Sequence, residues 1–205
     1  MMSPIPIQLA VEDDLSEGVL IKLLCKTGRP YAIGTCYNGS GFGYLRRTIR
    51  GFNNAAKGTP FLVLTDLDQI ECAPDLIETW LHEPLHPNLL FRVAVKEVEA
   101  WLLADQVGLA RFLGINKTLI PESVDEIVDP KKCLIDLARR SPHRNLRGDI
   151  VPPSGSTRQI GPNYNGQLVA FVQNRWNISA AERSSPSLRR TVTAVTRFVP
   201  TWDHV

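Results

Sequence analysis

No run of apolar residues in this sequence approaches the roughly 20 that a helix needs to cross a bilayer, which argues against a membrane span. Cysteine is scarce. Cys25, Cys36, Cys72 and Cys133 include no CxxC pair and match no zinc-finger spacing. Three of them fall in apolar or amphipathic segments, where a reduced cysteine behaves as a small hydrophobe. The reading is free thiols in a reducing cytoplasm. An excess of one charge is also missing. The net charge is +2, so any nucleic-acid contact has to come from a local patch rather than from the overall field. No Walker motif occurs, so ATP chemistry would belong to a separate chain. The opening MMSPIPIQLAVEDD reaches acidic residues too soon for a signal peptide.

The chain has 205 residues, of which 43% are hydrophobic and 21% charged. That suffices for one compact α/β domain with a small helical extension. Over the first hundred residues, short apolar runs alternate with amphipathic stretches. IPIQLAV (5–11), YAIGTCY (31–37), PFLVLTDLD (60–68) and NLLFRVAV (88–95) read as strands. LSEGVLIKLLCK (15–26), YLRRTIRGFNNAAK (44–57) and PDLIETWLHE (74–83) read as helices, as does the longer KEVEAWLLADQVGLARFLG (96–114). Beyond residue 115 the strand signal fades. Helices are expected at 130–140, 165–176 and 185–198, the last capped by Ser185, with an irregular loop over 140–162. The expected fold is α/β, a TOPRIM-like (Rossmann-like) parallel sheet of about four strands with helices on both faces. Residues 1–114 form that core, and 115–205 form a helical C-terminal annex packed on it as one domain.

Right-handed crossovers put the C-terminal ends of all strands on one edge, where ligands bind in such sheets. The acidic residues map to those ends. Glu12 follows the first strand, Asp66 and Asp68 end the third, and Glu97 and Glu99 follow the fourth. Carboxylates gathered in one place repel one another and protonate unless a counter-charge is supplied. A hard divalent cation, Mg²⁺ or Mn²⁺, supplies it through oxygen ligands. Residues two apart in an extended segment face the same side, so Asp66 and Asp68 are expected to share a metal with Glu12. Glu97 and Glu99 point about 200° apart if they lie on a helix, so that one faces the site. If Glu97 still belongs to the strand end, both do.

The ordered set of Glu12 in VEDDLSEGVL and an apolar strand ending in LTDLD resembles the TOPRIM fold of topoisomerases, primases and overcoming-lysogenization-defect (OLD) nucleases. The chain is more similar still to a bacterial TOPRIM-like family, domain of unknown function 4276. VKEVEAWLLAD (95–105), IGPNYNG (160–166) and SPSLRR (185–190) resemble its further motifs. The resemblance implies Mg²⁺ or Mn²⁺ ligation by Glu12, Asp66 and Asp68. It further implies phosphodiester chemistry, with Glu97 and Glu99 in catalytic, second-metal or positioning roles. DLDQIECAP after the strand departs from topoisomerases and primases and points to the OLD-like branch, whose members often work with an ATPase. A role in bacterial phage defence follows by that analogy.

Arg139, Arg140, Arg144 and Arg147 fall within nine residues, and Arg189 and Arg190 lie in SPSLRR. Arginine clusters suit phosphate contacts, and these six are the candidate nucleic-acid contacts beside the reading of solvated charge. Arg46, Arg47 and Arg50 read as the wet face of a helix. Lys96 reads as a surface lysine that could also neutralise a phosphate. His82 to His86 fit the HExxH pattern of zinc proteases, which needs a helix. Pro84 breaks one there, so the segment reads as a turn. Gly39-Ser40-Gly41-Phe42-Gly43 lacks phosphate-loop spacing and reads as a flexible turn. Trp101 reads as core, with base stacking as the alternative. Two functions stand: a metal-dependent nuclease, or a non-catalytic module that holds a nucleotide, nucleic acid or partner ATPase.

Overall fold

The computed structural model describes residues 3–39 and 43–202. The chain divides into two compact units, Met1–Val95 with Arg190–Val205, and Lys96–Arg189. The glycine-rich turn expected at 39–43 falls partly outside the described residues, at Ser40, Gly41 and Phe42.

The first unit runs β1 (Ile5–Val11), α1 (Asp14–Lys26), β2 (Tyr31–Asn38), α2 (Tyr44–Ala55), β3 (Phe61–Asp66), α3 (Ala73–Trp80) and β4 (Leu89–Ala94). The strands form one parallel sheet in the order β2-β1-β3-β4. The protein is α/β and Rossmann-like, as the alternating pattern requires. From β1 the chain steps one way to β2, then returns past β1 to β3 and on to β4. With right-handed crossovers, α1 covers one face and α2 and α3 the other. The reversal lies between β1 and β3, and a crevice opens beyond their C-terminal ends at such a switch point.

Both faces of the central strands are buried. Phe61 and Val63 of β3 join Ala10, Phe91 and Val93 in an apolar cluster with Leu45, Ile49 and Phe52 of α2 and Leu76 of α3. The alternate residues Leu9, Val11, Leu62 and Leu64 are also buried, and the two-residue period turns them to the α1 face. Near-continuous apolar strands are the result. The edge strand β2 differs. Most of its side chains are exposed, so the expected cover on both faces stops before the edge.

The second unit is helical: α4 (Val98–Leu103), α5 (Gln106–Leu113), α6 (Pro130–Arg139), α7 (Arg144–Ile150), α8 (Tyr164–Asn174), α9 (Ile178–Ser184) and the start of α10 (Pro186–Arg197). The single helix expected over 96–114 is broken at Asp105. That carboxylate is buried and accepts the Gly108 N–H at 3.0 Å as the cap of α5, and it also accepts the Asn177 N–H at 2.8 Å. A β-carbon at Gly108 would stand 2.1 Å from Asp105 Oδ2, so glycine admits the cap. Gly114 ends α5 in the left-handed region (φ 69°), as expected. Helix α7 occupies part of the segment expected to be irregular, and α9 has no counterpart in the sequence pattern. Each has seven residues, too few for a periodic pattern to emerge. Ser185 caps α10, its Oγ accepting the Leu188 N–H at 3.2 Å.

From Arg190 onward the chain belongs to the first unit. Arg29, just before β2, donates to the carbonyls of Val195, Thr196 and Phe198, and the Tyr31 hydroxyl donates to Val195 O. Asn88, just before β4, accepts the Thr201 N–H at 2.8 Å and donates to Thr201 O at 2.7 Å. The C-terminal end of α10 is thereby pinned beside the start of β2, and Thr201 beyond it beside the start of β4. Among the described residues no helix is long and apolar enough to cross a membrane.

Candidate carboxylate sites

Glu12, Asp66 and Asp68 all line one cavity of about 320 Å³ in the first unit, together with Gly43, Arg46, Leu67, Gln69, Ile70, Leu76 and Trp80. It sits at the switch point between β1 and β3, where the topology predicts a ligand crevice. The Thr65 hydroxyl donates to Glu12 Oε1 at 2.5 Å. That bond follows from register. Ala10 pairs with Val63, which places Glu12 opposite Thr65, two residues further on. Phe61, Val63 and Thr65 share the α2–α3 side of the strand, and Asp66 takes the alternate side.

Asp68 corrects an expectation. Extended geometry places Asp66 and Asp68 on one side, but β3 ends at Asp66. A turn follows, closed by Ile70 N–H to Leu67 O at 3.1 Å. Asp68 sits in it with φ 50°, in the left-handed region. Aspartate tolerates that region better than most residues, and strained backbone of this kind concentrates at functional sites. The three carboxylates thus enter the cavity from a strand end, a turn and a neighbouring strand end. Their oxygen chemistry suits Mg²⁺ or Mn²⁺. Even so, among the described residues no three His, Cys, Asp or Glu side chains form a group able to hold a metal. Arg46, expected only as wet helix surface, is exposed and also lines the cavity.

Glu97 and Glu99 belong to the second unit. Glu97 is the extended residue just before α4, with φ −145°, and Glu99 lies in the first turn. Lys131 Nζ is 3.3 Å from Glu97 Oε1 and 3.6 Å from Glu99 Oε1. Because β4 ends at Ala94, Glu97 does not belong to the strand end; the two side chains converge on the Lys131 ammonium group, and neither lines the cavity of Glu12, Asp66 and Asp68. Glu97 Oε2 also accepts the Lys131 backbone N–H at 2.8 Å, at the start of α6, where the helix dipole favours an anion.

Glu99 is buried, and the Tyr164 hydroxyl donates to its Oε1 at 2.9 Å. Burial pushes its carboxyl up to about 7, opposed by the Lys131 ammonium and reinforced by the Glu97 charge. A carboxyl poised near neutrality can hold or release a proton. Neither Lys131 nor Tyr164 carries a local signal in the sequence, because their partners are 34 and 65 residues away. Glu97 and Lys131 also line a cavity of about 330 Å³ with Asp129, Lys132, Ile135, Asp136, Arg139 and Gln159.

Two of the six candidate arginines make side-chain bonds within the second unit. Arg139 pairs with Asp136. Arg147 donates to Ser141 O at 2.8 Å. Arg140, Arg144, Arg189 and Arg190 are exposed. The HExxH segment lies beyond the end of α3 and is not helical, so His82 and His86 do not stand one turn apart. Trp101 is wholly buried in the second unit and donates to Ser187 Oγ at 2.7 Å, which is core packing. All four cysteines are free thiols. No protein-family model matches the chain, and neither the curated proteins nor the solved structures yield a match.

Proposed function

We propose that the protein is a Mg²⁺- or Mn²⁺-dependent phosphodiester hydrolase acting on nucleic acid. The observation that carries this reading is that Glu12, Asp66 and Asp68 all line one cavity at the switch point of a parallel sheet. Glu12, Asp66 and Asp68 would hold the ion. A divalent ion held there supplies a nucleophilic water and neutralises charge developing on the phosphodiester. Arg46 would meet a phosphate oxygen from the same cavity wall. Thr65 fixes the Glu12 carboxylate through its hydroxyl. In the second unit, Glu99 is the candidate proton-holding group, and Glu97 shares the Lys131 counter-charge with it. Arg139, Arg140, Arg144, Arg147, Arg189 and Arg190 are the proposed backbone contacts. The resemblance to OLD-type nucleases and to domain of unknown function 4276 supports a separately encoded ATPase partner, a place in bacterial phage defence and a cytoplasmic location.

The test is incubation of purified protein with DNA and with RNA in Mn²⁺, beside Asp66→Asn, Asp68→Asn and a chelator control. Cleavage by wild type alone is the expected result. Equal cleavage by wild type and variants would remove these carboxylates from catalysis.

A second reading is a non-catalytic module that holds a nucleotide, nucleic acid or partner ATPase. It is favoured by the fact that no three ligand side chains gather into a metal group among the described residues. Calorimetric titration with Mn²⁺ separates the two. Binding without turnover of any nucleic acid favours the module.

A further inference from the structure

Arg92 is the fourth residue of β4 and pairs in register with Leu64. Phe91 and Val93 belong to the α2–α3 cluster, so Arg92 points to the opposite face. A guanidinium on the face of a packed sheet needs acceptors. Arg92 Nε is buried and has no hydrogen-bond partner among the described residues. Buried polar atoms in folded proteins are nearly always paired, and an ion or a water serves where the protein offers no acceptor.

The nearest charge makes the demand greater. Arg190, in the part of α10 that belongs to the first unit, comes close enough for its charge to act on Arg92. Burial and that like charge both push the Arg92 guanidinium down from its ordinary value. Arginine nevertheless stays charged in proteins. Two cations therefore share this place, and no described carboxylate pairs with Arg92. Arg190 is exposed, so the place is open to solvent.

We propose that Arg92 and Arg190 together form a binding site for a phosphate group, Arg92 reaching it from the sheet and Arg190 from α10. Paired guanidinium groups offer several N–H donors in planar forks that match phosphate oxygens. One anion satisfies the buried Nε and cancels the repulsion. The phosphate comes either from a nucleic-acid backbone or from free inorganic phosphate. Arg92 stands outside the arginine clusters of the sequence, and the site needs no metal ion.

The experiment measures binding in the presence of a chelator, so that no cleavage enters. Inorganic phosphate and a labelled single-stranded oligonucleotide are titrated separately into wild type, Arg92→Gln, Arg190→Gln and the double variant. Wild type should bind phosphate and gain thermal stability from it. Each single variant should lose at least about tenfold in affinity, the equivalent of one good charge-assisted bond. The double variant should be little worse than either single one, because one anion bridges both side chains. Oligonucleotide binding that weakens in parallel identifies a backbone phosphate as the ligand. Weakening confined to inorganic phosphate identifies the free anion. Unchanged affinity for both ligands in Arg190→Gln, an exposed position that leaves folding intact, overturns the proposal. A failure of metal-dependent cleavage would leave this measurement untouched.

Discussion

The Thr65 hydroxyl donates to Glu12 Oε1 at 2.5 Å, joining β3 to the residue that follows β1. The bond crosses the switch point of the sheet, so it holds together the two strand ends that frame the cavity. Thr65 is 2% exposed. Removing a buried donor to a carboxylate costs about 1.5 to 3 kcal/mol. Thr65→Val should lower stability by about that much. It should also weaken Mn²⁺ binding more than Thr65→Ser, which keeps the donor. Calorimetric titration of both variants checks this, and equal weakening by the two would assign the effect to packing instead.

Asp68 occupies the left-handed region at φ 50°. A β-branched residue there is strained, whereas glycine is not. Asp68→Val should lose about 1 to 2 kcal/mol of stability. Asp68→Gly should be as stable as wild type or slightly more so, while losing metal-dependent function. Thermal melts of the two variants settle the conformational part separately from activity.

The Glu99 carboxyl is raised by burial to about 7 from an ordinary value of 4.5. The folded state therefore keeps a proton that the unfolded state releases. Stability contributed by this group is fully present below about pH 4.5 and falls as pH rises from there to about 7. Above that window it changes no further. Glu99→Gln should flatten the dependence of melting temperature on pH across this interval. Tyr164→Phe removes a bond that lowers the value, so it should extend the window upward. A melting curve of Glu99→Gln with the wild-type pH slope would refute the assignment.

Burial, then the neighbouring Glu17 and Asp14 carboxylates, push the Cys36 thiol up to about 12. The thiolate is the nucleophile, so Cys36 should resist iodoacetamide at pH 8 in the folded protein and react after unfolding. Mass spectrometry of peptides labelled in the two states provides the check. Labelling of Cys36 as fast as exposed Cys25 would contradict it.

Several elements are legible locally. The apolar runs around Ile5–Val11 and Phe61–Asp66 form strands, because both of their faces are buried and little polar interrupts them. The helix starts at Pro130 and Pro186 follow from proline in a first turn. Asp105 is hidden. It looks like one polar residue within a helical pattern, and only its bonds to Gly108 and distant Asn177 reveal a cap. Asp68 escapes the sequence for a related reason, since the alternation of a strand says nothing about where the strand stops.

The sequence by itself determined the alternating α/β order and the placement of Glu12 and Asp66 at strand ends, because hydrophobic period and chain order are local properties. Only the tertiary structure decided which side chains meet. Thr65 faces Glu12 through the register of two strands, across 53 residues of sequence. Glu97 and Glu99 share Lys131 through helix packing. Arg92 of β4 comes within reach of the Arg190 charge, and its buried Nε lacks a partner among the described residues. These relations join residues far apart along the chain, so no local pattern encodes them and folding alone brings them together.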